Sequence, residues 1–209
     1  MSNEYGYIGG STINQVVQNN GIFSVEDIYD LKNKGHLGGS LELIASSSFS
    51  SSSAVEITTL KESIYDVHFF TFELTGSHQD HTLFLDMSTN GGSSYITDDF
   101  KFFKQFEETF SNGNGTNTST DIYGIQVAAS LDSNNGFATY GYLYGLGNTN
   151  EYSYYTGQSI GTRSGDAGEF RMEYGGGIRP NKDIINAIRF YPNVGTLTGN
   201  YKIFGIKKV

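Results

Sequence analysis

Cysteine is absent from the 209 residues. This excludes disulfides, thiolate metal sites and a thiol nucleophile, and it suits either a reducing cytosol or an exterior surface held by packing alone. Tryptophan is absent too, so the large side chains are 15 Tyr and 15 Phe. Two prolines exclude a Pro-rich linker or a collagen-like period. Basic residues are few: 13 Lys and Arg against 22 Asp and Glu leave a formal charge of −9. That argues against nucleic acid as the main partner, because phosphate binding needs clustered cations. No apolar run reaches transmembrane length, and the polar start Met1-Ser2-Asn3-Glu4 does not read as a signal peptide. The expectation is a chain made in a cytoplasm, soluble, without membrane insertion, and found outside a cell only as part of an assembly.

What the chain does have is glycine, 27 residues of it, which points to many tight turns and glycine-containing strands. The length suits one large β-domain with a short extra arm and is enough to bury a core. The closing stretch is the most organised. In Ile184 to Tyr191, Asn186, Ile188 and Phe190 share one face and Ala187, Arg189 and Tyr191 the other. After Pro192-Asn193-Val194-Gly195 comes a second run from Gly199 to Lys207. β-branched and aromatic residues at period two, bounded by Gly and Pro, predict a strand pair. A domain that closes on a strand has a sheet to receive it, so the β-domain is expected to run to the last residue, without a disordered tail.

Upstream the same pattern recurs from Leu41. Strands are predicted over Leu41 to Ile44, Val55 to Thr59, Tyr65 to Gly76 (central, with apolar residues on both faces), Leu83 to Met87, and from Tyr95 after an Asn90-Gly91 turn. Further strands are predicted over Ile122 to Leu131, Phe137 to Gly145, Glu151 to Ile160 and Glu169 to Tyr174. In Phe100 to Phe110, Phe100, Phe103, Phe106 and Phe110 fit a helical stripe, while the aromatic content and short flanks favour a strand. The serine tract Ser46 to Ser53 reads as a strand edge or loop, and Ser111 to Ser119 as an exposed loop. Strands about ten residues apart with glycine turns describe an all-β, antiparallel β-sandwich of jelly-roll type over 41–209.

Residues 1–40 differ. Tyr5, Tyr7 and Ile8 sit in a glycine-rich aromatic segment suited to lying extended on another surface. A short helix is predicted over about 24–34: Ser24 caps it, Glu26 and Asp27 favour its positive end, Val25, Ile28 and Leu31 line one face, and Gly35 stops it. Such a helix is too short to stand alone in water. Its apolar stripe either covers one end of the β-domain or docks into a neighbouring subunit.

Candidate chemistry is sparse. His78-Gln79-Asp80-His81 crowds two imidazoles and a carboxylate, but reads as a solvated turn unless a third ligand converges. His68 lies inside a strand and reads as packed or paired. Glycoside hydrolysis needs two carboxylates across a cleft, whereas the adjacent acids Asp98-Asp99 and Glu107-Glu108 alternate faces on a strand. No nucleophile elbow or phosphate loop is present. The sequence therefore predicts no catalytic residues, no cofactor and no metal. Tyr140, Tyr142 and Tyr144 share one strand face, and Tyr152, Tyr154 and Tyr155 follow across a turn. Such a ladder either stacks on sugar rings or a partner surface, since Tyr joins an apolar face to a polar tip, or fills a core or subunit interface.

Several motifs, in this order, carry a family resemblance: Tyr65-Asp66-Val67-His68, the hairpin Asp86 to Tyr95, Ala187-Ile188-Arg189-Phe190, and Gly199 to Lys207. Together they resemble the small virion structural proteins of marine and freshwater tailed phages, cyanophages and pelagiphages among them. Those proteins carry an S-x-D-G-G-S-S-Y hairpin, where this chain has Asn90, and end G-x-[YF]-x-[LIM]-[YF]-G-[ILV]-K. Asn20 to Ile28 is similar to the opening helix of phage tail and fibre proteins. The resemblance covers most of 20–209. It implies a non-enzymatic component of the virion exterior, a tail fibre, other appendage or capsid decoration. Residues 1–40 would anchor such a component on capsid, tail or neck proteins, with Tyr5, Tyr7, Ile8, Val25, Ile28 and Leu31 as contacts. Exposed sheet edges and the arm point to a homo-oligomer, a trimer or a lattice. The alternative is a host-recognition adhesin that binds surface glycan through Tyr140, Tyr142 and Tyr144.

Overall fold

The computed structural model describes Glu26 and residues 41–109, 114–122, 124–131, 135–162 and 169–206. The chain divides into two units, Met1–Gly39 and Ser40–Val209. Of the predicted helix only Glu26 is described, as helical and exposed. Tyr5, Tyr7, Ile8, Val25, Ile28 and Leu31 lie outside the described residues.

The second unit is all β. Its strands are β1 (Leu41–Ser52), β2 (Val55–Ile57), β3 (Val67–Gly76), β4 (His81–Ser88), β5 (Phe100–Glu108), β6 (Asn114–Ile122), β7 (Ile125–Leu131), β8 (Phe137–Tyr144), β9 (Ser153–Thr162), β10 (Phe170–Arg179), β11 (Ala187–Pro192) and β12 (Leu197–Ile206). They form an eight-stranded sheet, β1-β12-β3-β8-β9-β10-β5-β6, and a four-stranded one, β2-β11-β4-β7. All pairings are antiparallel, and they nest. β1 pairs with β12, β2 with β11, β3 with β8 and β4 with β7, the pairs alternating between the sheets. Two hairpins, β5–β6 and β9–β10, widen the large sheet beyond β8.

The two sheets face each other across one core. β3 alternates strictly: Phe70, Phe72 and Leu74 are buried inward, while Phe69, Thr71 and Glu73 point outward. Opposite them, β4 sends Leu83, Leu85 and Met87 inward and β11 sends Ile188 and Phe190. The Phe190 ring lies 4.9 Å from Phe70 and 4.5 Å from Phe72, closing the gap between sheets at van der Waals contact.

Where the large sheet outgrows the small one, the inner face turns from hydrocarbon to charge. Lys104 on β5 and Glu173 on β10 are both buried and bonded to each other. Glu173 Oε2 also accepts the Ala129 N–H of β7 at 2.9 Å, and Glu173 Oε1 meets Arg171 Nε at 2.9 Å. The Arg171 guanidinium sits over the Phe106 ring, 3.8 Å from its centre. Burial lowers the Lys104 pKa, opposed by the Glu173 charge. One carboxylate thus ties β7 of the small sheet to β5 and β10 of the large one. Removing one member of such a buried set leaves an uncompensated charge.

Several expectations need correction. The two closing strands are not partners: β11 lies in the small sheet and β12 in the large one, because the turn Asn193–Gly195 carries the chain across the sandwich. The polar segment predicted as a loop over 111–119 is instead strand from Asn114 onward. Its Thr and Asn side chains suit a sheet margin exposed to water, where composition alone reads as loop. No strand begins at Tyr95; the next starts at Phe100. The Asn90 turn instead folds back on itself. Gly91 and Gly92 take positive φ (70° and 87°), Ser88 Oγ accepts the Gly92 N–H at 3.0 Å, and Asn90 Oδ1 accepts the Ser94 N–H at 2.9 Å. The strand predicted over Ile122 to Leu131 is β7, which begins at Ile125; Ile122 closes β6.

Phe190→Ala empties the contact between sheets. It is expected to lower unfolding free energy by about 3–5 kcal/mol, read as a fall in the urea midpoint at unchanged slope.

Candidate functional site

An antiparallel sheet with one face in a core ordinarily alternates apolar-in and polar-out. The large sheet breaks this rule on its outer face. Among the described residues thirteen large hydrophobic side chains are exposed, and nine of them are outward-facing positions of this sheet: Leu41, Leu43, Phe103, Tyr140, Tyr154, Ile160, Phe170, Met172 and Tyr174.

Register sets which of them meet. One row across the sheet reads Leu43, Phe204, Phe69, Tyr142, Thr156, Gly176, Phe103. The next reads Lys202, Thr71, Tyr140, Gln158, Tyr174, Gln105, and the row on the other side includes Tyr144, Tyr154, Ile178 and Lys101. Phe69 is the hub on β3, with ring centroids 4.9 Å from Tyr142, 6.3 Å from Tyr140 and 6.0 Å from Phe204. Tyr142 lies 6.3 Å from Tyr144.

The predicted ladder is therefore on the outer surface and not in the core: Tyr140 is 40% exposed, and Tyr142 and Tyr144 are half-buried against one another. Of the tyrosines across the turn, Tyr154 joins this face, while Tyr155 points inward, stacks on Phe70 at 6.1 Å and belongs to the core. Burial drives its hydroxyl pKa up.

Polar groups interleave the rings. Tyr140 donates its hydroxyl to Gln158 Oε1 at 2.6 Å, which fixes both side chains. Thr71, Glu73, Tyr140, Gln158, Ile160 and Met172 border a depression of about 300 Å³ beside the ladder. The face is rigid, because every residue named stands on a strand, and it combines apolar ring faces with hydroxyls and amides. Such a surface can bind; among the described residues it brings together no acid–base pair or nucleophile.

The other sequence-predicted chemistry lies elsewhere. His68 is buried with Nε2 2.8 Å from the Leu60 carbonyl, and burial lowers its pKa. His81 Nδ1 lies 2.8 Å from the His78 carbonyl. Among the described residues no group of three or more His, Asp or Glu could hold a metal ion, and no helix is long and apolar enough to cross a membrane.

Asp86, read only as part of the hairpin motif, is fully buried on the other side of the small sheet, with Oδ2 2.5 Å from Arg189. The Arg189 guanidinium sits 4.4 Å from the Tyr95 ring and 4.8 Å from Tyr191. Burial pushes the Asp86 carboxyl up to about 6, against the opposing pull of Arg189 and of a hydrogen bond from Tyr191.

No protein-family model matches the chain, and neither a curated protein nor a solved structure does.

Phe69, Phe103, Phe204 and Met172 were not singled out from sequence. Period-two alternation reveals two faces of each strand but not which of two apolar faces is covered. The Asp86 pKa yields a pH prediction. A carboxyl raised in the folded state binds its proton more tightly there, so its stabilising contribution is present below about pH 4 and is lost as pH rises through about 6. Relative to Asp86→Asn, the unfolding free energy of the native chain should fall by on the order of 2–3 kcal/mol between pH 3 and 7, measured by denaturant titration at each pH.

Proposed function

We propose that this chain is a non-enzymatic structural protein of a phage particle's exterior, which displays its β-sandwich and uses the outer face of the large sheet as a recognition surface. The observation that carries the reading is the concentration of exposed aromatic and aliphatic side chains on that one face. A sandwich already closed by its own core has no use for it, and an exposed patch of this kind ordinarily marks an interaction site. The motif resemblance supplies the setting. The nested strand pairings support reading the sandwich as a jelly roll carrying two added hairpins. Residues 1–40 would anchor the chain on capsid, tail or neck proteins. Among the described residues β1 and β6 are the margins of the large sheet, and such margins favour assembly as a homo-oligomer, a trimer or lattice.

A second reading is favoured by one specific observation: the ladder lies on the outer face, with Tyr140 exposed and hydrogen-bonded to Gln158. In that reading the exterior protein is a host-recognition adhesin for surface glycan.

Quantitative mass spectrometry of purified particles tests the setting. Hundreds of copies would make the chain a capsid decoration, and a few to a few tens a tail fibre or appendage. Absence from particles would end the virion reading. A chain truncated to 41–209 is expected to fold but to be lost from particles, and normal incorporation would end the anchoring role of 1–40.

A further inference from the structure

The outer face holds a second, larger depression, a shallow groove of about 720 Å³. It lies over β10 where the chain runs Gly175-Gly176-Gly177. Gly176 stands in an outward-facing position between Thr156 on β9 and Phe103 on β5, and its missing side chain makes the floor. The glycine is required by packing: a Cβ there would lie 2.7 Å from the Tyr155 carbonyl oxygen. The walls are rings. Phe103 is 50% exposed and Tyr154 42% exposed, although each is large and apolar enough to be buried elsewhere. Lys101 and Thr118 complete the rim with an ammonium and a hydroxyl.

The charge of this groove is opposite to that of the chain. The protein carries −9 overall, yet the groove lining has one cation and no carboxylate. Among the described residues Lys101 has no ion-pair partner. The acid just before it on β5's approach, Asp99, is engaged with Arg179 at 3.4 Å, as is Asp183. An exposed ring platform, a hydroxyl and an ammonium suit a flat ligand with an apolar face and an anionic edge.

We propose that the groove over Gly176 is a binding site for an acidic glycan, a hexuronate ring stacking between Phe103 and Tyr154 with its carboxylate on Lys101. The inference rests on the outer face being a recognition surface, and it places the ligand on β5, β9 and β10, beside Tyr144 and two rows from Tyr140 of the ladder on β8. It names a sugar because the two exposed ring faces suit stacking on a pyranose, and an acidic one because the lining carries the Thr118 hydroxyl and the Lys101 ammonium and no carboxylate.

Titration calorimetry of the full chain with oligogalacturonate tests it, with the methyl-esterified oligomer as the uncharged counterpart. The acid form should bind, with affinity falling as salt screens Lys101. Phe103→Ala and Tyr154→Ala, both exposed positions, should each weaken binding about tenfold or more while leaving the urea midpoint near native. Lys101→Gln should leave the esterified and acid forms bound alike. No binding by the native chain, or undiminished binding by Phe103→Ala, overturns the proposal. Loss of binding in Tyr140→Ala but not in Phe103→Ala keeps the recognition face and overturns the groove. Sedimentation showing that Phe103→Ala converts an oligomer to a monomer would put a second copy in the groove and overturn it equally.

Discussion

The contact of Phe190 with Phe70 and Phe72 is the joint on which the molecule depends. A sandwich without cysteine has no disulfide between its layers, so the sheets are held face to face chiefly by the inner side chains that fill the gap. Aromatic rings do this with few residues, since each brings a large apolar area and stiff geometry. The joint is also non-local: β3 and β11 are far apart in sequence and lie in different sheets. Ordering it orders β4 and β2 on either side of β11, and β12 and β8 on either side of β3.

The small sheet covers only part of the large one, and that mismatch shapes the rest. Under β7 the core ends on a charged set, Glu173 with Lys104 and Arg171, held by the Ala129 N–H and the Phe106 ring. Burying these groups costs more than burying hydrocarbon, and the set is tolerable because its charges are paired. Its geometric effect is to hold β5 and β10 at one register beneath β7. The outer positions of those strands, Phe103, Tyr174 and Met172, are aligned by the same register.

Among the described residues the outer face of the large sheet is where exposed large apolar side chains concentrate. Its rings are spaced by strand geometry and held by neighbours, as Tyr140 is by Gln158, so in the proposed recognition role a ligand would meet ordered side chains and lose little entropy on binding. In the proposed role the recognition elements stand on strands and residues 1–40 serve as anchor, so the face can vary without disturbing the Phe190 joint. That separation is the physical content of the proposed virion role.

Much of the strand content was legible from residues 41–206, because alternation of apolar and polar side chains follows from the two-residue period of a strand. The ladder Tyr140, Tyr142, Tyr144 was legible as one face of one strand for the same reason. The serine-rich β1 and the threonine-rich β6 were harder, since polar strands and loops share a composition and differ only in having a neighbour. What the sequence by itself determined is an all-β chain without disulfide or thiol chemistry, with an excess of aromatic residues and acid. What only the tertiary structure decided is which strands are neighbours: that β11 and β12 part to different sheets, that Tyr155 faces in while Tyr154 faces out, and that Phe103, Gly176 and Lys101 meet. Pairing partners lie far apart in the chain, and register between them is set by the packing of the whole core. No local pattern carries that information.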